Sequence, residues 1–213
     1  QSLYSKEQYA LWLEKLQHYL SEARHKGVIV PETTTVPEQF LLGMGGQSIE
    51  SAATLGLSFV YGVFPYIPQD PVELAKSLSE KYRSNFKAGT HSKPSNFVLA
   101  VFVVIADTSE EAEEMAKPLD LWMLGKQDFA EFHTFPTQKD VEEYEFTQRD
   151  REKIASNRSR LIVGNPREVY EQMEALRAVS NPDELLFIPL VGSIEKRKRS
   201  VELLAELYKG EKK

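Results

Sequence analysis

Apolar residues recur along this chain in two rhythms, and the alternation between them predicts its architecture. Tyr9, Trp12, Leu13, Leu16, Tyr19 and Leu20 fall at helical spacing, while Lys6, Glu7, Glu14, Lys15 and Gln17 take the other side. This predicts an amphipathic helix ending near Gly27. Val28, Ile29 and Val30 make a short apolar run before Pro31, and a polar, Thr-rich loop follows. Residues 40–64, FLLGMGGQSIESAATLGLSFVYGVF, read as strand, glycine-rich turn, short helix and strand. Phe40, Leu41 and Leu42 have a strand's length. Ser48 is the predicted N-cap, and Ile49, Ala52, Ala53 and Leu55 suit one buried helical face. Gly56 closes that helix, and residues 57–64 form a second strand rich in strand formers.

The rest of the chain repeats this alternation. Asp70 and Pro71 read as cap and first helical residue of a helix over 72–86, with Leu74, Leu78, Tyr82 and Phe86 inward. Residues 96–106, NFVLAVFVVIA, are almost continuously apolar, as in a parallel strand covered on both faces. Thr108 and Glu111 have capping-box spacing for a helix running toward Leu124, with Pro118 expected to kink or interrupt it. Residues 126–157 turn polar and acidic, too long for a plain connection, and predict an excursion with a helix of its own over 148–155. A strand-like run over 160–163, a helix over 167–179 after Gly164, Asn165 and Pro166, a buried strand over 185–191, and a last helix packing through Val201, Leu204, Leu207 and Tyr208 complete the order. Strand and helix alternate throughout, which predicts an α/β protein with parallel strands.

Composition narrows the function classes. The 213 residues are 41% hydrophobic and 27% charged, the balance of an ordinary globular domain, and predict a single domain over 1–213. The net charge of −6 disfavours nucleic acid and anionic membrane as partners, because both require a basic surface. No uninterrupted apolar stretch approaches a membrane span, and no signal-peptide pattern is present, so a cytoplasmic location is expected. Cysteine is absent, which removes disulfides, thiolate metal sites and cysteine nucleophiles. The sequence opens on Gln1, inside a helical pattern, as expected of a processed chain or part of a longer protein.

The strongest chemical signal is the glycine turn of Met44, Gly45, Gly46, Gln47 and Ser48. A strand feeding such a turn and a helix N-terminus points free N–H groups and the positive end of the helix dipole at one place, which suits an anion. The same glycines equally serve a tight turn with no ligand. His18, His25, His91 and His133 are scattered and lack metal-site spacing, so no metal centre is expected. Lys196, Arg197, Lys198 and Arg199 point all round a helix, and the acidic residues 140–145 read as solvated.

Several segments together resemble the bacterial-luciferase-like flavin monooxygenases. Residues 40–64 are similar to that family's central strand–turn–helix–strand, with Ala52-Ala53-Thr54-Leu55-Gly56-Leu57 matching its Ala-Ala-x-x-Gly-Leu helix end. Tyr82-Arg83-Ser84-Asn85-Phe86 resembles its Tyr-Arg-x-x-Phe. Ala106-Asp107-Thr108 with Glu110-Glu111-Ala112-Glu113 resembles its Ala-Asp-Thr-x-Glu-Glu-Ala-Glu. Val163-Gly164-Asn165-Pro166 and Arg199-Ser200-Val201-Glu202-Leu203-Leu204-Ala205-Glu206 match two further motifs in the same order. Family members fold as (β/α)8 TIM barrels, so the resemblance implies the C-terminal half-barrel, strands five to eight, with an excursion after strand seven.

The resemblance further implies that Met44, Gly45, Gly46, Gln47 and Ser48 hold the phosphate of FMN, through backbone N–H groups and the Ser48 hydroxyl. It places Gly62 and Val63, at the end of the sixth strand, beside the flavin ring or the substrate. The implied activity is a monooxygenase that takes reduced FMN from a separate flavin reductase and uses O2 to oxidise a small organic substrate. The catalytic residues remain unknown, because the family's histidine belongs to strands absent from this sequence. Two other readings stay open: a non-catalytic half-barrel acting through association, and a deazaflavin-dependent oxidoreductase. Half a barrel exposes strand edges and core, so a homo-oligomer such as a dimer, or a complementary N-terminal half, is the expected partner.

Overall fold

One strand takes partners along both edges because nearly every residue in it is apolar and buried. The computed structural model describes residues 6–20, 37–65, 69–88, 94–126 and 133–209. Its elements are α1 (Lys6–Leu20), β1 (Phe40–Gly43), α2 (Gln47–Leu55), β2 (Ser58–Val63), α3 (Pro71–Asn85), β3 (Phe97–Ile105), α4 (Ser109–Met123), α5 (Gln138–Glu143), α6 (Gln148–Arg158), β4 (Ile162–Gly164), α7 (Pro166–Ser180), β5 (Glu184–Pro189) and α8 (Ile194–Leu207). All pairings are parallel, and β3 is the central strand. Val103 has a partner in both β4 and β5, so those two occupy opposite edges of β3. β4 therefore continues the edge that β2 leaves at Val101, and the order across the sheet is β1–β2–β3–β5.

The alternation of side chains along the strands divides the apolar residues between two faces. Leu41, Phe59, Tyr61, Val63, Phe97, Leu99, Val101, Val103 and Ile105 pack against α2, α3, α7 and α8 in the main core. Burying one Phe or Leu there contributes about 1.5–3 kcal/mol. The other face carries Val60, Val98 and Ala100, and towards the strand ends α4 covers Val104 and Ala106. Two polar ties fix the N-terminal ends of the strands. Tyr82 Oη donates to Leu57 O (2.8 Å) and accepts from Asn96 N (3.2 Å). Asp183 accepts from Phe97 N (2.8 Å) and pairs with Arg83 (3.0 Å). The Tyr82–Phe86 motif thus holds the scaffold together.

Several expectations are corrected. Pro118 does not interrupt α4, which continues to Met123 with the proline buried. β5 was expected to be buried, yet Leu186 is 46% exposed, because among the described residues β5 pairs only with β3. Val201 was expected to pack inward and is 52% exposed. In α1, Leu13 packs on the core and Gln17 Nε2 donates to Leu55 O (2.8 Å), whereas Tyr9, Trp12, Leu16 and Tyr19 face outward. The predicted end of that helix near Gly27 and the run over 28–30 lie outside the described residues, as do His25 and His91. Among the described residues no helix is long and apolar enough to cross a membrane.

Candidate functional site

The glycine turn stands at the C-terminal end of β1, at the end of the sheet where open parallel sheets bind ligands. Gly45 (φ 120°) and Gly46 (φ 64°, ψ −132°) adopt backbone conformations that side chains disfavour, which swings the chain from strand into helix within three residues. The helix begins at Gln47 with Gly46 in the cap position, so Ser48 is not the N-cap the sequence predicts. Its Oγ donates instead to Gly45 O (2.7 Å), bracing the turn from inside. No side chain caps α2 at all. By contrast, α3, α4, α5, α6, α7 and α8 each have a side-chain cap.

Close packing also demands Gly43. A Cβ there would lie 2.2 Å from Ser48 Oγ and 2.8 Å from Ser48 Cβ, so strand and helix meet at a distance only glycine permits. A Cβ on Gly46 would meet nothing within 4 Å, so the approach to the helix start is open. Met44 is 36% exposed at the rim. Glu50, in the first turn of α2, is held aside by an ion pair with Lys81 (2.6 Å). The positive end of the helix dipole is thus open at this turn, with the first-turn carboxylate paired. This arrangement fits a phosphate group such as that of a flavin nucleotide.

Register places the second predicted group beside the first. Gly43, the last residue of β1, is level with Tyr61, so the turn leaves the sheet beside the end of β2 that carries Gly62 and Val63. The two members of that group, however, face opposite ways. Val63 is 1% exposed and packs in the helix-side core. Gly62 lies on the other face, directly beneath Phe64: a Cβ on Gly62 would be 2.4–2.8 Å from the ring of Phe64. Phe64 in turn stacks on Phe102, with centroids 4.5 Å apart and planes at 23°. Sequence reasoning singled out Gly62 and Val63 and missed Phe64 and Phe102. The signal available was period-two alternation, which sets Phe64 on the face of Gly62 and Val60, away from Val63.

Below this mouth, Tyr61 is wholly buried beside Arg160, which donates to Gln69 O. Burial pushes the Tyr61 hydroxyl pKa up, although the guanidinium opposes this. His18 and His133 are exposed, and no cluster of potential metal ligands occurs among the described residues. The basic run is taken up locally: Arg199 pairs with Asp107 (2.6 Å) and Arg197 donates to Val191 O (2.7 Å).

Parallel strands with helices packed against them, and a glycine turn leading into a helix with no side-chain cap at the strand ends, define an α/β protein. The luciferase-like monooxygenase family model matches residues 10–180, and the chain belongs to that family. The uncharacterized protein YceB of Bacillus subtilis (strain 168) is 32% identical over 178 residues, 84% of this chain and 52% of that protein. N-acetyl-S-alkylcysteine monooxygenase of the same organism is 26% identical over 201 residues, 91% of this chain and 58% of that protein. In fold, the chain is similar to apo-MsnO8 (TM-score 0.77, 24% identity, 96% of this chain and 61% of that one). It is also similar to the long-chain alkane monooxygenase LadA (TM-score 0.56, 12% identity, 98% and 57%). The chain spans 52–58% of the length of the curated relatives it matches.

Proposed function

We propose that this chain supplies the phosphate-holding half of a flavin-dependent monooxygenase site, with FMN as the cofactor. The observation that carries the reading is the start of α2, where glycine replaces a capping side chain and the approach is open. Gly45, Gly46, Gln47 and Ser48 hold the phosphate through backbone N–H groups, and Met44 borders it. The Ser48 hydroxyl, committed to Gly45 O, shapes the turn and leaves the holding to the amides. Bound reduced FMN, delivered by a separate flavin reductase, supplies the oxygen-activating chemistry that oxidises a small organic substrate. What the protein contributes is orientation and shelter from water.

In this reading β1, β2, β3 and β5 are strands five to eight of a (β/α)8 barrel, residues 1–213 are its C-terminal part, and 126–157 are an excursion after strand seven. The exposed Phe40 and Leu42 of β1 favour completion of the barrel by an N-terminal half or a second copy. So does an apolar groove of about 430 Å³ lined by Leu185, Phe187, Pro189, Val201, Leu204, Ala205 and Tyr208. Flavin fluorescence quenching tests the cofactor assignment: FMN is expected to bind more tightly than riboflavin, because only FMN has the phosphate. Equal affinity for the two rejects the phosphate cradle. Tighter binding of a deazaflavin than of FMN transfers the assignment to the reductase alternative.

A further inference from the structure

Among the described residues three charged side chains are buried, and one of them lacks a counter-charge. Asp120 pairs with Arg158 (2.7 Å) and Asp150 with Lys126 (2.9 Å). Arg160 is 3% exposed; its Nη2 donates to the backbone oxygen of Gln69, and its Nη1 has no hydrogen-bond partner. No carboxylate of the described residues lies within ion-pair distance of it. Asp70, next in sequence to Gln69, commits its Oδ1 to the start of α3, accepting from Val72 N and Glu73 N, both at 2.9 Å. A guanidinium in a protein does not shed its proton, so burial is not relieved that way. An uncompensated buried charge is among the costliest features a fold can carry.

A second orphaned group stands beside the first. Tyr61 is wholly buried next to Arg160, and its hydroxyl has no hydrogen-bond partner either. Burial raises the pKa of that hydroxyl, so it stays protonated and able to donate. The two meet where the sheet changes strands: β2 leaves its edge of β3 at Val101, β4 takes the edge up at Val103, and Arg160 comes two residues before the first residue of β4. Two donors without an acceptor, around one fixed positive charge, are the donor set of an anion site. Charge and access restrict the occupant. One guanidinium balances one negative charge, and neither orphaned atom is reached by solvent, so an anion carried on an organic body does not fit. We propose that Arg160 Nη1 and Tyr61 Oη hold a small monovalent inorganic anion, of the size of chloride, which ties β2 and the residues before α3 to the start of β4. The site uses none of the glycine-turn residues and does not depend on the cofactor reading.

Thermal unfolding of the purified full chain in sodium chloride and in sodium gluconate, at equal ionic strength, tests it. Chloride at about tenfold its dissociation constant is expected to raise the midpoint by about 3–6 °C over gluconate, the shift that ligand linkage gives in a chain of this size. Arg160→Met is expected to lose that increment. Tyr61→Phe is expected to reduce it without abolishing it, which keeps the test readable if the methionine variant folds poorly. Chloride NMR gives a direct readout: the unmodified chain should broaden the chloride line more than either variant does. Equal midpoints in the two salts throughout a chloride titration overturn the proposal. So does an increment that survives in Arg160→Met, or a fall of equal size in both salts in that variant, which would mark an arginine that only holds Gln69 O. An increment from phosphate with none from chloride overturns the assignment to a small monovalent anion.

Discussion

Two turns in this sheet share one pattern, strand then glycine then helix, and use it for opposite ends. At the end of β4, Gly164 leads into Asn165 and Pro166. The Asn165 side chain accepts from Arg167 N (3.0 Å) and Glu168 N (3.1 Å), and Glu168 accepts from Asn165 N (3.0 Å). Ser109 joins them, donating to Glu168 (2.9 Å) and accepting from Asn165 Nδ2 (2.8 Å). Pro166 has no N–H to offer. That helix start is satisfied by its own side chains. At the end of β1, glycine stands where asparagine stands in the other turn, and the one nearby hydroxyl turns back to Gly45 O. The residue in the cap position, more than the glycine before it, separates a sealed helix start from one suited to an anion.

The largest expected effect breaks the open turn. Gly43→Ala drives a methyl into Ser48 and is expected to destabilise the fold by about 1–3 kcal/mol, the usual cost of overpacking. For a chain of this size each kcal/mol lowers the thermal midpoint by about 2–4 °C. FMN binding should fall with it. Since both clashing atoms belong to Ser48, adding Ser48→Gly should restore more than half of the lost midpoint; no recovery in calorimetry would show that the clash is not the cause. Next in size is the sealed turn. Asn165→Ala is expected to cost about 1 kcal/mol in urea unfolding, as cap removal does elsewhere. Its FMN affinity should match that of the unmodified chain, because the helix start it damages is already satisfied by side chains. A parallel loss of FMN binding would undo the distinction between the two turns.

Much of this contrast is legible in the amino-acid order. Gly164, Asn165 and Pro166 announce a helix start, and α7 begins there; its seal by Asn165 and Glu168 comes from the structure. Asp70-Pro71 is equally plain: Asp70 Oδ1 accepts from Val72 N and Glu73 N, both at 2.9 Å. The nearly unbroken apolar run of β3 correctly signals burial on both faces. Ser48 misled because a hydroxyl near a helix start usually caps it; here Gly46 takes that place and the serine sits two positions too late. The outward face of α1 misled for a different reason. Helical spacing reports which residues are apolar, and Tyr9 and Leu16 are, but it does not say whether the core covers them. Period-two alternation sets Phe64 on the face of Gly62, but that its ring folds back over Gly62 from beyond the strand end is a rotamer choice that spacing does not encode.

The smallest expected effect separates capped from uncapped helices by acid. Asp150 accepts from Thr147 N (3.1 Å) and Thr147 Oγ1 (2.7 Å), and pairs with Lys126 (2.9 Å). These partners, Lys126 foremost, hold its pKa well below the ordinary carboxylate value, and the hydroxyl and amide of Thr137 do the same less strongly for Asp140. A depressed folded-state pKa means that the stabilisation is present above the unfolded value and is lost as pH falls through the folded one. Asp120 has the opposite sign: burial raises its pKa despite the Arg158 pair at 2.7 Å. Its contribution is complete below the unfolded value and declines as pH rises through the raised one. Lowering pH well below the ordinary carboxylate range should therefore loosen the starts of α5 and α6, while the start of α2, which has no carboxylate cap, should respond little. In amide NMR the Thr137 and Thr147 signals should titrate together with their aspartates, and Asp150→Asn should abolish the Thr147 response. Equal movement of the Gln47 and Ser48 amides over the same range would mean that the turn after β1 relies on a carboxylate after all, and would count against its role as an anion site.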